Sequence, residues 1–277
     1  MKPETSFVVG IGPTPDFCLR VSIASLVRVL FKTSHENEWW LALERKVTLV
    51  EKENSVTVEV NAQPFGGAVN ILALQELHNR IGGFRFDSER SRAEADFRLF
   101  IQPSQWPTLQ AFLIENLNRP TDIILETSPD RELVEEFEDA VDIALAPNQY
   151  ISKPISIVLE ENPSPTENNR ARGHPTVRVY RIYETIITDV TLAEMISTGS
   201  HQFSDKDLST LAIQRSRNGG QGRANGILAL PLEELVAFYT GLPFQDRIST
   251  VLFQGHRLSE TVAAVLEGIA TPKHRKL

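Results

Sequence analysis

The chain has 277 residues, of which 41% are hydrophobic and 23% are charged, and its formal net charge is −8 at pH 7. This length is sufficient for a large hydrophobic core. The single cysteine excludes a disulfide framework and a cysteine-rich zinc site, and it fits a reducing cytoplasm. No apolar run approaches the roughly eighteen residues that cross a bilayer, and residues 1–5 lack the pattern of a signal peptide. The acidic balance gives no strong signal for binding nucleic acid.

The first third of the chain is predicted to consist mainly of strands. Residues 17–31 are rich in Val, Ile and Leu, and residues 39–50 form a second apolar run. A polar turn at residues 51–54 leads into residues 55–60, where Val56, Val58 and Val60 alternate with polar side chains. This alternation places the valines on one face of a strand, so the pattern predicts a β-hairpin.

Beyond the hairpin, strand and helix patterns are mixed. Residues 63–68 interrupt the strand pattern, alternation predicts strands at 95–101 and 176–187, and apolar spacing predicts helices at 106–116, 231–239 and 258–269. Composition predicts a mobile loop at about 160–175 and a glycine-rich loop at 218–226. Because the second half lacks a convincing core of its own, we expect one α+β domain over residues 1–277 with long insertions.

The clearest predicted helix covers about residues 128–145. Ser128 is a good N-cap, Pro129 suits the first helical position, and Asp130 suits the positive end of the helix dipole. Apolar residues then recur at three- and four-residue spacing at positions 133, 137, 140, 141 and 144. This spacing predicts one apolar face that packs inward.

Three carboxylates crowd another face of this helix. Glu132 lies three and four residues before Glu135 and Glu136, so the three side chains are neighbours. Like charges at this spacing destabilise a helix unless a cation lies among them, and Mg²⁺ prefers carboxylate oxygens. Two interpretations stay open at this point, a divalent metal site and an ordinary solvated acidic face.

The run Arg-Glu-Leu-Val-Glu-Glu at residues 131–136 resembles the core of the Nudix box, Arg-Glu-(apolar)-x-Glu-Glu. Nudix hydrolases cleave a pyrophosphate bond in a nucleoside diphosphate linked to another group, using Mg²⁺ or Mn²⁺ held by the helix glutamates. The resemblance implies that Glu135 and Glu136 bind the metal. It implies that Glu132 is a further ligand or the base that activates water, and that Arg131 orients the carboxylates by ion pairing.

The resemblance extends to a glycine pair and includes three departures. Gly66 and Gly67 correspond to the family's Pro-Gly-Gly segment, where glycine permits backbone approach to phosphates. The glycine and first glutamate of the box fall here at Leu117 and Ile123, and Glu138 replaces the later glycine. A remote carboxylate such as Glu115 or Glu126 is one substitute for the missing glutamate.

Three short segments resemble a particular subgroup, the SMODS-associated Nudix domains of prokaryotic anti-phage defence systems. They are Phe-Gly-Gly-Ala at 65–68, Asp-Phe-Arg-Leu at 96–99 and the acidic run at 131–136. The resemblance to the Nudix family implies a Nudix-like α/β/α sandwich with a mixed sheet, a nucleotide ligand and a homodimer, and the resemblance to this subgroup adds a role in defence.

Two further cations are candidate substrate-binding residues. Arg223 lies in a loop that combines arginines with glycines, which suits a phosphate, although a flexible surface loop is the alternative. Arg181 lies on the predicted strand 176–187, where it faces either a ligand or the outer side of a sheet. The six histidines show no metal-ligand spacing.

Two functions therefore compete. One is a metal-dependent hydrolase of a nucleoside diphosphate-linked substrate in the cytoplasm. The other is a catalytically inactive Nudix fold that serves as a nucleotide sensor or a protein-interaction module, which the missing box residues favour. The two differ in whether a divalent cation is held tightly enough for chemistry.

Overall fold

The computed structural model describes residues 9–35, 37–52, 55–119, 122–160, 163–165, 171, 173–200, 202–217 and 225–269. Helix and strand occupy nearly equal shares, 34% and 36%, and the predicted α+β fold class is confirmed. The strands are β1 (Gly10–Ile11), β2 (Leu19–Phe31), β3 (Trp40–Lys52), β4 (Ser55–Gln63), β5 (Phe65–Ala68), β6 (Asn70–Ile71), β7 (Arg85–Phe86), β8 (Arg98–Ile101), β9 (Leu125–Glu126), β10 (Tyr150–Leu159), β11 (Ser164–Pro165), β12 (Pro175–Ile187), β13 (Gly226–Pro231), β14 (Val251–Phe253) and β15 (His256–Leu258).

The helices are distributed along the chain after the first hairpin. They are α1 (Leu74–Ile81), α2 (Glu89–Glu94), α3 (Trp106–Leu117), α4 (Asp130–Val141), α5 (Val190–Gly199), α6 (Asp205–Arg217), α7 (Leu232–Gly241), α8 (Phe244–Arg247) and α9 (Val262–Leu266). Within the part of the chain that the structure describes, no helix has both the length and the apolar character needed to span a membrane.

The chain divides into two compact units by its internal contacts. The first unit comprises Met1–Ser25, Gly67–Ser128 and Ser156–Arg181. In it β1 pairs in parallel with β7, and β8 pairs antiparallel with β7 and with the first residues of β2. Leu77 of α1 and Leu109 of α3 are fully buried in its core, together with side chains from these strands.

The second unit comprises Leu26–Gly66, Pro129–Ile155 and Ile182–Leu277. Its centre is the antiparallel hairpin of β3 and β4, and β13 pairs antiparallel with β3 along its other edge. The short hairpin of β14 and β15 joins β4 through a parallel pairing, so the sheet is mixed. One core cluster includes Phe65, Leu133 and Phe137, and a second lies around Leu41 and Leu43. The prediction of a single domain over residues 1–277 stays a prediction.

Several predicted elements are confirmed. The hairpin of residues 39–60 corresponds to β3 and β4, with Val47 opposite Val60. The predicted strand 176–187 is β12, and the predicted helices 106–116 and 231–239 are α3 and α7. Residues 53–54 of the hairpin turn lie outside the described part of the chain.

The ends of the acidic helix differ from the prediction. The helix α4 begins at Asp130, and the carbonyl of Pro129 accepts a hydrogen bond from the Leu133 amide, so Pro129 and not Ser128 is the N-cap. It ends at Val141, and the following Asp142 takes a left-handed conformation with φ of 59°. Beyond that point Leu145 packs into the same core without helical structure, so the apolar pattern extends further than the helix.

Three other predictions need correction. Residues 63–68 are not a continuous break, because the chain resumes as β5 directly after Pro64. The strand predicted at 95–101 begins only at Arg98, since Ala95 takes a left-handed conformation at the end of α2. The helix predicted at 258–269 is limited to α9, because Gln254 and Gly255 form a positive-φ turn that makes residues 251–258 a hairpin.

The two predicted loops fall largely on residues that the structure does not describe. In the loop predicted at about 160–175, residues 161–162, 166–170 and 172 lie outside the described part of the chain. Ser164–Pro165 of that segment forms β11 and pairs with β12, so this portion is a strand. In the predicted loop 218–226, residues 218–224 lie outside the described residues, and Gly226 begins β13.

Candidate functional site

The acidic helix is fixed to its unit by an aromatic contact. Leu133 and Phe137 of α4 are fully buried. The ring of Phe137 stacks on that of Phe65 in β5, with centroids 4.7 Å apart and an interplanar angle of 29°. Such pairs contribute about 0.5–1.5 kcal/mol beyond burial of their area. This contact places the acidic residues of α4 beside the strand that carries Gly66.

Glu136 makes a direct hydrogen bond to that strand. Its Oε2 atom accepts a hydrogen bond from the Gly66 amide at 2.6 Å. Its Oε1 atom lies 3.7 Å from Nζ of Lys46 in β3, and the side chain of Glu136 is only 12% exposed. Two sequence motifs seventy residues apart therefore meet at one carboxylate.

Gly66 has a conformation that requires glycine. Its φ is 123°, a region that residues with a side chain rarely adopt, whereas φ is not positive at the neighbouring Gly67. The amide of Gly66 is therefore aimed at Glu136 by a backbone geometry that another residue would strain. A glycine at this position both permits the turn and supplies the hydrogen-bond donor.

A second carboxylate, that of Glu44 in β3, belongs to the same cluster. Glu44 is fully buried. Its Oε2 accepts a hydrogen bond from Gln63 Nε2 at 3.1 Å, and its Oε1 accepts one from Asn225 Nδ2 at 2.7 Å. Nζ of Lys46 lies 3.5 Å from Oε2 of Glu44. Because a buried carboxylate is stable only with hydrogen bonds or an opposite charge, this arrangement holds Glu44 in place.

Glu135 and Arg131 lie on the exposed side of α4. Nη1 of Arg131 is 3.4 Å from Oε2 of Glu135, and the two side chains are 42% and 60% exposed. Arg131 and Glu135 therefore form an exposed ion pair one helical turn apart on the helix surface. Glu132 lies on the same helix, and its side chain is not among those that the structure describes.

A tyrosine adjoins the start of the helix. The hydroxyl of Tyr150 lies 3.5 Å from Oδ1 of Asp130. Burial, the negative charge of Asp130 and this hydrogen bond all raise the pKa of Tyr150 above its ordinary value. The hydroxyl therefore stays protonated at neutral pH and donates to Asp130.

The remaining predicted substrate-binding residues are distributed over the chain. Gly67 follows Gly66 in β5 and belongs to the first unit. Arg181 of β12 is 9% exposed, and its Nη1 donates a hydrogen bond to the Ser156 carbonyl at 3.4 Å. Arg223 lies outside the described residues. The roles of these three residues in binding substrate stay predictions.

The donor chemistry around Glu136 suits a cation. Carboxylate oxygens are the ligands that Mg²⁺ and Mn²⁺ prefer. Within the described side chains, which do not include that of Glu132, no group of three His, Cys, Asp or Glu residues is arranged to hold a metal ion. The ammonium of Lys46 lies 3.7 Å from Oε1 of Glu136, so a divalent ion bound at Glu136 would have to share this carboxylate with Lys46 or displace Lys46 from it.

Glu44 and Lys46 are the two residues that the sequence analysis missed. They lie in a strand that is predicted from its apolar residues. The run Glu44-Arg45-Lys46 has the composition of a polar strand end, so it does not by itself indicate a functional site. The available signal was a glutamate directly after the apolar run Leu41-Ala42-Leu43. A charged residue within a strand that is apolar on both faces indicates a buried charge that needs partners.

Comparison with known proteins gives little similarity. No protein-family model and no curated protein sequence matches the chain. A search of solved structures finds similarity to a chain described as "Structure of T. brucei MERS1-RNA complex", with 7% sequence identity and a TM-score of 0.24. The match covers 91% of this chain and 62% of that chain, so this chain spans less than two thirds of its length. A similarity at this TM-score carries no argument about fold or function.

Proposed function

We propose that the chain is a Nudix-type hydrolase that uses Mg²⁺ or Mn²⁺ to cleave a nucleoside diphosphate-linked substrate. The observation that carries this proposal is the hydrogen bond of 2.6 Å between the Gly66 amide and Glu136. It joins the acidic helix to the glycine segment, the two motifs on which the family resemblance rests. The approach of a glycine backbone to a carboxylate-rich helix suits a ligand that combines phosphates with a divalent cation.

Each residue of the site has a role under this proposal. Glu135 and Glu136 hold the cation, and Glu132 is a further ligand or the base that takes a proton from water. When bound, the cation supplies positive charge to the pyrophosphate and lowers the pKa of the attacking water. Arg131 orients Glu135 by its ion pair. The amide of Gly66 fixes one oxygen of Glu136, which leaves the other oxygen turned toward Lys46.

A second candidate function is favoured by Lys46. Its ammonium lies 3.5 Å from Glu44 and 3.7 Å from Glu136, so the site has a positive charge of its own. A site in which lysine already offsets the charge of these carboxylates needs no divalent ion between them, which favours a protein without metal-dependent chemistry. This arrangement supports an inactive nucleotide sensor or a protein-interaction module.

A release assay discriminates between the two functions. The wild-type protein is incubated with nucleoside triphosphates, ADP-ribose, NAD, dinucleoside polyphosphates and cyclic oligonucleotides, with Mg²⁺ or Mn²⁺, and release of phosphate and nucleoside monophosphate is measured. The test variant is Glu135→Gln with Glu136→Gln. Glu138→Gln is the matched control, because Glu138 is an exposed glutamate of the same helix.

The hydrolase proposal expects turnover that the double variant loses and that Glu138→Gln retains. Turnover that survives in the double variant assigns the activity to other residues and contradicts the site. If no substrate is cleaved but a nucleotide raises the melting temperature, the sensor is the better account.

The family resemblance also underlies three wider proposals. They are a role in prokaryotic anti-phage defence, a cytoplasmic location and a homodimeric state. The oligomeric state is tested by sedimentation velocity, in which a homodimer has twice the mass of the chain. The role in defence is tested by comparing phage plating on cells that carry the wild-type gene or the double variant.

A further inference from the structure

The first compact unit contains a cavity of about 300 Å³ between α1 and α3. All of its lining residues fall within Gly67–Ser128, and none belongs to the acidic helix or the glycine pair. We propose that this cavity binds a small organic cation, namely a primary amine with an apolar body. The inference goes beyond the proposed hydrolase and is independent of it.

Part of the lining is apolar and buried. Phe112 of α3 and Ile124 both line the cavity, and each is 3% exposed. Ligand sites in proteins have volumes of about 300–1,000 Å³, so this cavity lies at the lower end of that range. At roughly 30 Å³ for each non-hydrogen atom, it suits a molecule of about ten such atoms. The apolar body of the ligand is therefore about as large as one aromatic ring.

Asn116 of α3 gives the lining a buried hydrogen-bond acceptor. It lines the cavity, is 5% exposed, and its Nδ2 atom donates to the Phe112 carbonyl at 2.8 Å. Because only the amide nitrogen can donate, this bond fixes which end of the side chain is Oδ1. Oδ1 is buried and has no hydrogen-bond partner among the described residues. An unpaired buried acceptor is unfavourable, so a ligand that donates an N–H to it is stabilised.

The charged residues of the lining select a cation. Nη2 of Arg80 in α1 lies 3.7 Å from Oε2 of Glu115 in α3, and Oε1 of Glu115 accepts a hydrogen bond from Arg119 at 2.6 Å. Both oxygens of Glu115 therefore face arginines. Glu76, one turn before Arg80 on α1, also lines the cavity and is exposed. Within the described part of the chain its carboxylate makes no ion pair or hydrogen bond, so this negative charge is open to a ligand.

An ammonium group fits these two acceptors. It has three donors and no acceptor, which suits the carboxylate of Glu76 and Oδ1 of Asn116. A carboxylate ligand would meet two groups that repel it, and Arg80 is already paired with Glu115. Asn79 at the exposed rim adds no charge, and its Oδ1 already accepts a hydrogen bond from Gln75.

The test is the affinity of the full chain for phenethylamine, which is a cation at neutral pH, measured by titration of ¹H–¹⁵N NMR chemical shifts. 2-Phenylethanol is the neutral probe of the same size, and phenylacetate is the anionic probe. Glu76→Gln removes the charge, and Asn116→Leu removes the buried acceptor. Circular dichroism checks that each variant is folded.

Each variant has a matched control in the same unit. Asn118→Leu is the control for Asn116→Leu, because Asn118 of the same helix end donates to the carbonyl four residues earlier at 2.9 Å but is exposed. Glu89→Gln is the control for Glu76→Gln, because Glu89 is an exposed glutamate in the first turn of α2.

Phenethylamine is expected to bind at least about fivefold more tightly than 2-phenylethanol, and phenylacetate more weakly than either. Fivefold is the effect of one ion pair at about 4 Å in water, so Glu76→Gln should weaken binding of the amine by about the same factor. Asn116→Leu should weaken it about tenfold, the lower end of what a hydrogen bond to a charged group contributes. Both control variants should bind the amine as the wild-type protein does.

Four results would overturn the proposal. They are no binding of phenethylamine, equal affinity for the amine and the alcohol, tighter binding of phenylacetate, and wild-type affinity for the amine in both Glu76→Gln and Asn116→Leu. If Asn116→Leu does not fold, Glu76→Gln decides alone, because Glu76 is exposed. The titrations contain no divalent ion and no nucleotide, so their outcome is separate from that of the hydrolase assay.

Discussion

Replacement of Gly66 by alanine is expected to damage the site through the backbone. The φ of Gly66 is 123°, and holding a residue with a side chain in such a region costs about 1–3 kcal/mol. The strain also acts on the amide that donates to Glu136 at 2.6 Å, because relief of the strain rotates this peptide. We therefore expect Gly66→Ala to lower the free energy of unfolding by about 1–3 kcal/mol.

Gly67→Ala is the matched control, since Gly67 is the next residue of β5 and its φ is not positive. Where the conformation is compatible, Gly→Ala stabilises by about 0.4–1 kcal/mol through the unfolded chain. Urea unfolding followed by tryptophan fluorescence measures the free energy of unfolding of both variants. The two values are compared on the condition that the free energy falls with urea concentration at the same slope. In a double-mutant cycle with Glu136→Gln, the effect of Gly66→Ala should shrink, because the hydrogen bond is then already weakened. Equal stability of Gly66→Ala and Gly67→Ala would refute the reasoning.

Two further predictions concern titratable groups whose pKa values are shifted. The Tyr239 hydroxyl is buried with no hydrogen-bond partner among the described residues, and burial raises its pKa. Tyr239→Phe should therefore be as stable as the wild-type protein at pH 7, or up to about 1–3 kcal/mol more stable. The stability linked to this raised pKa is present below about pH 10 and is lost at higher pH. Unfolding of Tyr239→Phe by alkali should therefore begin at a higher pH than unfolding of the wild-type protein. The same dependence of stability on alkaline pH in both proteins would contradict the assignment. Burial raises the pKa of Glu184, but Lys153 and Arg28 more than offset it and the net pKa is lowered. This contribution to stability is present above the ordinary pKa near 4.5 and is lost as pH falls through the lowered value. In urea unfolding at a series of acidic pH values, the free energy of unfolding should therefore fall less steeply with decreasing pH in Glu184→Gln than in the wild-type protein. The same decrease in both proteins would exclude this role.

The elements that the sequence predicts well are those whose apolar pattern is local and regular. The β3–β4 hairpin follows from alternating valines, and its register places Val47 opposite Val60. The apolar spacing of α4 predicts that helix, but its end depends on the left-handed conformation of Asp142, which spacing does not reveal. The strand β5 contains two glycines, which have a weak preference for strands, so the sequence does not predict it. Its extended conformation depends on long-range pairing.

The candidate site could be predicted only in part for the same physical reason. The acidic face of α4 and the glycine pair are local patterns, so both could be singled out. The burial of Glu44 depends on the pairing of β3 with β13, which places Glu44 opposite Ile227 from a distant part of the chain. The contact of Lys46 with Glu136 likewise depends on tertiary packing of the helix, which no local pattern specifies.

The most direct test of the account is the thermal shift that Mg²⁺ or Mn²⁺ produces in the wild-type protein, Glu136→Gln and Glu138→Gln. An ion that binds only the folded state adds about 2.7 kcal/mol of stability at a hundredfold excess over its Kd. The account predicts that the melting temperatures of the wild-type protein and Glu138→Gln rise and that Glu136→Gln does not respond. An equal rise in Glu136→Gln would contradict the central claim, because Glu136 would then not be a ligand of the bound ion.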